Sequence, residues 1–205
     1  MLSVKYAVFG TLLSISAITG PSAALDIAAP SGEYRLDPAH ASLIWKVNHF
    51  GLSNYTSRFR KFDVELTLDV ENVEKSKLSV SIDPLSVKTD FSGEVDFDAE
   101  IASGTQFLNS GSYPSIKFVS KYIESTGDVT ALIHGDMTML GVTKSITLNA
   151  KLNGTMAEHP YAKAPAVGFH AEGSIKRSDF GFDYLIPYIG DDVSFVVEAE
   201  FIQAK

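Results

Sequence analysis

Five histidines, His40, His49, His134, His159 and His170, are the side chains of this sequence best suited to hold a metal or move a proton near neutral pH. A pre-built metal site brings two ligands together at i, i+4 on a helix or i, i+2 on a strand, and no two of these histidines have either spacing. Cysteine is absent, which removes thiolate catalysis, iron–sulfur clusters and cysteine-ligated zinc. A Gly-x-Ser-x-Gly elbow, a phosphate-binding glycine loop and a dinucleotide fingerprint are absent too. Asp179-Phe180-Gly181 matches the kinase metal-binding triplet without the rest of a kinase, and Asp191-Asp192 reads best as an acidic hairpin turn. Asn54-Tyr55-Thr56 and Asn153-Gly154-Thr155 match a glycosylation sequon short enough to arise by chance. These residues point to no catalytic group, no metal and no cofactor. The remaining chemistry is apolar: Trp45, Phe62, Phe118, Phe169, Phe195 and Phe201 each fall on a predominantly apolar strand face. A well-filled core explains them as readily as a binding pore does.

The elements that carry these aromatics are written in a period of two. Phe62, Val64, Leu66, Leu68 and Val70 alternate with Asp63, Glu65, Thr67 and Asp69. Leu78, Val80 and Ile82 repeat the pattern, as do Ile146 to Leu152 and Val193 to Phe201. Successive strand side chains point to opposite faces, so this alternation describes sheets with one dry and one wet side. Strands are predicted at 33–36, ended by Asp37-Pro38, and at 40–50. They continue through 55–70, 77–83, 116–124, 129–139 and 144–153, then a strand around 167–175 and a closing one at 191–203. Residues 84 to 115 break the rhythm. There Ser92 is expected to cap a short helix with Glu94 and Asp96 in its first turn and Phe91, Val95 and Ala102 as its apolar stripe. The reading is all-β: about eight antiparallel strands, one short helical insertion and no second domain. Eight strands suit a closed barrel able to hold one small ligand, and a two-sheet sandwich fits the same periodicity.

The first 24 residues are set apart from that domain. Lys5, the apolar run Tyr6 to Ile18, the break at Gly20-Pro21 and the small residues Ser22-Ala23-Ala24 make a secretory signal peptide. Removing it takes away one of 17 basic residues and none of 25 acids, so residues 25–205 carry a net charge of about −9. That balance, without a basic run, argues against nucleic acid and against docking to an anionic membrane surface. The apolar strand faces lack the aromatic girdles of a membrane barrel, so an integral membrane protein is not expected.

Several stretches, in order, resemble the YceI-like, polyisoprenoid-binding proteins. They are Asp37-Pro38-Ala39-His40, Val47-Asn48-His49-Phe50-Gly51-Leu52 and Phe59…Phe62-Asp63, followed by Phe107-Leu108-Asn109…Tyr113-Pro114 and Gly141-Val142-Thr143-Lys144. Gly168-Phe169-His170-Ala171-Glu172-Gly173 and Arg177-Ser178-Asp179-Phe180-Gly181 complete the set. Departures occur at Ser57, where the family commonly has glycine, and at Ser145, which takes the place of a proline. A third is Ile101-Ala102-Ser103-Gly104, in place of a His-Leu-Arg-Ser stretch. The resemblance implies an exported, periplasmic, lipocalin-like elongated antiparallel β-barrel, in which an isoprenoid or similar amphiphilic lipid occupies an apolar pore. A homodimer is allowed by it, and no agreed catalytic activity comes with it.

On that footing the expected pore lining is Trp45, Val47, Phe62, Leu66, Phe118, Phe169 and Phe195, with Phe180 and Phe182 as a lid or mouth. His49, Asn54 and Arg58, faced by Asp179, are expected to seat the head group. So acidic a chain suits a neutral quinone or phenol better than a pyrophosphate. The expected function is a periplasmic carrier for an isoprenoid-type lipid. The alternative is an enzyme acting on such a lipid through a loop carboxylate or histidine.

Overall fold

The computed structural model describes residues 28 to 205, and the expected signal peptide, residues 1–24, lies outside the described residues. Ten strands follow one another as β1 (Gly32–His49), β2 (Ser53–Phe59), β3 (Phe62–Leu68), β4 (Lys77–Ile82) and β5 (Val87–Thr89), then β6 (Ile116–Ser125), β7 (Thr130–Met139), β8 (Val142–Met156), β9 (Ala166–Lys176) and β10 (Ile189–Gln203). One short helix, α1 (Phe97–Ser103), separates β5 from β6. All neighbours pair antiparallel in the order β10-β9-β8-β7-β6-β4-β3-β1, and β10 pairs back onto β1. This is a closed eight-stranded barrel with lipocalin-like architecture. Closure leaves no sheet edge exposed along the ring. At the end marked by the β1–β2 turn, called the upper end below, β2 and β5 extend the wall.

Two expected strands are one. The reading of 33–36 and 40–50 as separate strands fails because both halves pair with the same partner. Leu36 faces Phe201 and Ala41 faces Ala199, with the intervening residues thrown out as a bulge. Asp37 closes that bulge, its carboxylate accepting from the Ala39 amide at 2.9 Å and meeting His40 Nδ1 at 2.8 Å. Pro38 has no amide to offer a ladder, so a bulge suits it. Conversely, the expected strand at 55–70 divides at Arg60-Lys61. Its first part pairs with the upper half of β1 and its second with the lower half.

The helix is present, but Ser92 does not cap it. Asp96 does, accepting from the Ala99 amide at 3.0 Å, so the helix begins five residues later than Ser92. Phe91 and Val95 consequently lie outside it and are exposed, and Ile101 and Ala102 carry its buried face.

Side chains fill the barrel unevenly. A lower cluster gathers Tyr34, Leu36, Val64, Leu66, Val167 and Phe201. An upper one gathers Leu43, Phe59, Ile82, Ile101, Met139 and Phe180.

Candidate ligand cavity

Alternation along each strand decides which residues look inward. On β1 these are Leu43, Trp45, Val47 and His49, and across the ladder Tyr55 and Phe59 of β2 share their side. Val80, Phe118, Met137, Leu148, Ile175 and Phe195 supply the same inward face from the other strands. Around the barrel they enclose a cavity of about 410 Å³ in its upper half. Its wall is almost wholly apolar.

Two glycines make room for the aromatic part of that wall. A Cβ on Gly135 would lie 2.5 Å from Phe118 Cζ, and one on Gly173 would lie 2.7 Å from Phe195 Cζ. Both rings therefore lie across glycines of inward-facing strand positions, a close approach that any larger residue would prevent.

The roof is built by α1 and the loop between β9 and β10. Tyr55, Phe97, Phe107 and Tyr184 pack edge to face in succession, with ring centroids 5.5–6.5 Å apart. Asp98 ties the helix to β5. Its carboxylate accepts from the Thr89 amide and hydroxyl, both at 2.7 Å, and from the Lys88 ammonium. Burial alone would raise the Asp98 pKa, but these hydrogen bonds outweigh it and hold the group down at about 2.

Arg177 holds the other half of the roof. Only 3% exposed, it donates from Nε to Gly190 O, from Nη2 to Ile189 O and from Nη1 to Tyr184 O, each at 2.8 Å. A longer contact reaches Phe182 O at 3.4 Å, and the guanidinium sits 4.9 Å from the Phe182 ring centroid. No carboxylate pairs with it among the described residues, and burial lowers its pKa from the usual arginine value. Its donors are taken up by backbone carbonyls of the β9–β10 loop and of the first two residues of β10.

Polar groups in the wall are few. Trp45 Nε1 and Tyr55 OH are buried and have no hydrogen-bond partner among the described residues. His49 lies at the upper rim, edge-on to Phe50 with ring centroids 4.6 Å apart. Phe50 and Leu185 both line the cavity and are exposed outside it, which marks the mouth. Far from the cavity, Asp37, His40 and Glu200 bring three donor atoms within 4.8 Å of one another on the outer wall. Asp37 and His40 already satisfy each other there, so this reads as the closure of the bulge.

The structure distributes the expected site residues unequally. Trp45, Val47, His49, Phe118, Phe182 and Phe195 line the cavity together. Leu66 and Phe169 belong to the lower cluster, and Phe62 lies between the two clusters. Phe180 is 2% exposed and packs in the upper core beneath the roof instead of forming a lid. Asn54 and Arg58 are exposed, because Tyr55, Ser57 and Phe59 take the inward positions of β2 and leave the alternate ones outside. Asp179 is likewise exposed in the turn after β9. Tyr55, Phe97, Phe107, Tyr184 and Arg177 line the cavity without having been expected there. Tyr55 and Phe59 alternate with Asn54, Thr56 and Arg58 on odd positions, whereas Phe62 to Leu68 of β3 face inward on even ones. The inward phase switches at Arg60-Lys61, so reading 55–70 as one strand turns Arg58 inward and Tyr55 and Phe59 outward. The roof residues follow no strand period, and nothing local marks them.

The family model for the YceI-like domain matches residues 34–201. A UPF0312 protein of Pseudomonas putida is 39% identical over 155 residues, 75% of this chain and 78% of the relative. Among solved structures, the Campylobacter jejuni YCEI protein superposes with a TM-score of 0.66 at 26% identity, covering 77% of this chain and 90% of that one. A polyisoprenoid binding domain from Saccharophagus degradans shares the fold with a TM-score of 0.60 at 15% identity, over 83% and 98% of the two chains.

Proposed function

The chain belongs to the YceI-like family, and from that premise we propose that it is a periplasmic binding protein for an isoprenoid-tailed, uncharged amphiphile such as a quinone or its phenolic precursor. The observation that carries this reading is the apolar cavity of about 410 Å³ inside a closed barrel. An apolar tail moving from water into such a wall gains ~0.8 kcal/mol per methylene-sized unit. Left empty, the same space costs the fold ~24 cal/mol per Å³. The description of the Saccharophagus domain as polyisoprenoid binding supports the ligand class. The leader-like first 24 residues support the compartment.

Charge supports the neutral head group. Arg177, the buried cation of the wall, already serves backbone carbonyls, Lys117, which also lines the cavity, shares that lining with the acidic Glu100, and Arg58 faces away into solvent. Several phosphate charges would find little to offset them at the mouth. The deciding experiment is organic extraction and mass spectrometry of protein purified from its native compartment, paired with titration of a short-chain quinone and a prenyl pyrophosphate. Recovery of an isoprenoid and preferential binding of the quinone are expected. No recovered lipid and no quinone binding would overturn the carrier reading, and tighter binding of the pyrophosphate would overturn the neutral head group.

A further inference from the structure

Two turns at the mouth carry large apolar side chains where turn chemistry favours small or polar ones. In the turn after β1 the Leu52 amide donates to His49 O at 3.0 Å, and the central residues Phe50 and Gly51 have φ angles of 55° and 69°. Such a pair is usually Asn-Gly or Gly-Gly, because a left-handed backbone crowds a larger side chain. In the loop before β10 the Ile186 amide donates to Asp183 O at 3.1 Å, and Leu185, third in that turn, has a φ of 61°. Glycine or asparagine is the usual residue there as well. Full burial does not offset either strain, since Phe50 is 51% and Leu185 43% exposed.

The two turns make one surface. The Phe50 amide donates to Tyr188 O at 2.7 Å, and the Phe50 and Tyr188 rings lie 6.0 Å apart between centroids. Leu52 is 87% exposed and Tyr188 63%. Residues 47–57 and 184–190 contain no Asp, Glu, Lys or Arg, although 20% of the chain is charged. The approach to α1 is different, with Asp90, Glu94 and Asp96 all exposed.

An exposed apolar patch of this kind marks a contact surface, and its chemistry selects lipid. Uncharged turns enter a bilayer interface with no charge to dehydrate, and tyrosine suits that boundary with its apolar ring and polar tip. A protein partner held by ion pairs would find no counter-charge on these turns. The acidic remainder of the chain repels anionic lipid. We propose that the turns at 50–52 and 184–188 dock the mouth onto a neutral or zwitterionic bilayer surface, so that the ligand passes between membrane and cavity without crossing water. Only the passage of the ligand rests on the carrier reading, since the docking face is built by the two turns.

Leu52 and Tyr188 do not line the cavity, so replacing them leaves its wall in place. The parent protein, Leu52→Asp and Tyr188→Ser are sedimented with vesicles of phosphatidylcholine, alone or mixed with phosphatidylglycerol, at low and high salt. Circular dichroism checks that each variant is folded. The single tryptophan, Trp45, lines the cavity and reports occupancy by its fluorescence. It follows both the uptake of a long-chain quinone from phosphatidylcholine vesicles and the titration of a short-chain quinone in solution. The parent is expected to bind phosphatidylcholine vesicles independently of salt, and the mixed vesicles less well. Leu52→Asp should bind vesicles at least tenfold more weakly, since burying one large apolar side chain is worth about tenfold or more. Tyr188→Ser should weaken vesicle binding in the same direction. Both should take up the long-chain quinone more slowly and bind the short-chain quinone as the parent does. Parent protein that stays in the supernatant, or folded variants that both bind vesicles as the parent does, would overturn the docking face and leave the carrier reading intact. Binding confined to the anionic vesicles and abolished by salt would overturn it too. A parent dimer that Leu52→Asp dissociates, without vesicle binding, would assign the turns to a second copy instead of lipid. Vesicle binding that the variants lose, with no quinone bound in either assay, would overturn the carrier reading and keep the docking face.

Discussion

At the scale of single residues, the cavity depends on two glycines as much as on the aromatics it displays. Gly173 sits opposite Phe195 in the β9–β10 ladder, and a Cβ there would fall 2.7 Å from Phe195 Cζ and 3.1 Å from Leu148 Cδ2. Both of those side chains line the cavity. Gly173→Val must therefore push the Phe195 ring into the space a ligand would use or displace the strand. The expected outcome is a loss of about 1–3 kcal/mol, the usual cost of overpacking, together with weaker binding of a short-chain quinone. Urea denaturation and the Trp45 titration measure the two effects separately, and a variant with unchanged stability and affinity would show that the ring is not confined.

At the scale of elements, α1 is the part of the roof that hangs on one side chain. Seven residues make too short a helix to persist alone, so its position comes from Ile101 and Ala102 packing below and Asp98 bonding to β5. Asp98 has a folded pKa of about 2 against an ordinary value of 3.8. A depressed carboxyl pKa contributes stability that is complete above the unfolded value and is lost as pH falls through the folded one. The anchoring of α1 should then weaken between about pH 4 and pH 2, seen as faster amide exchange across residues 97–103 before the barrel strands respond. Asp98→Asn should show that fast exchange already at neutral pH and release bound quinone faster. Equal release rates for the variant and the parent would remove α1 from the entry path. The bulge in β1 belongs to the same scale. Asp37-Pro38 reads locally as a strand end, and only pairing with β10 on both sides makes it an interruption inside one strand.

At the scale of the whole molecule, a closed barrel with an apolar interior is stabilised by whatever fills it. A ligand that binds only the folded state adds RT ln(1 + [L]/Kd), about 2.7 kcal/mol at a hundredfold excess over Kd. For a domain of this size that corresponds to a rise in melting temperature of roughly 5–10 °C. Differential scanning calorimetry across a quinone concentration series should show the midpoint climbing with the logarithm of free ligand. A midpoint indifferent to concentration would mean that the ligand does not enter the folded barrel.

Much of this molecule was legible before any coordinates. The alternation in 62–70, 77–83, 144–153 and 191–203 states which residues share a dry face, because a strand turns its side chains by half a revolution per residue. Phe195 faces the interior as the 191–203 alternation predicts, and Trp45 and Val47 on the strand at 40–50 and Phe118 on the strand at 116–124 do the same. Periodicity specifies a face, however, and says nothing about height along the barrel. Phe62, Leu66 and Phe169 obey the same alternation, yet they pack in or against the lower cluster and do not line the cavity, because the stagger of the closed ring sets their level. The roof was beyond reach for a different reason. Phe97, Phe107, Tyr184 and Arg177 come from segments with no strand period, and long-range contacts hold them in place: Asp98 to Thr89, and Arg177 to the carbonyls of Tyr184, Ile189 and Gly190. Local pattern thus determined the strands and their dry sides, while ring closure decided which dry residues meet around one cavity, since that depends on register between strands far apart in the chain.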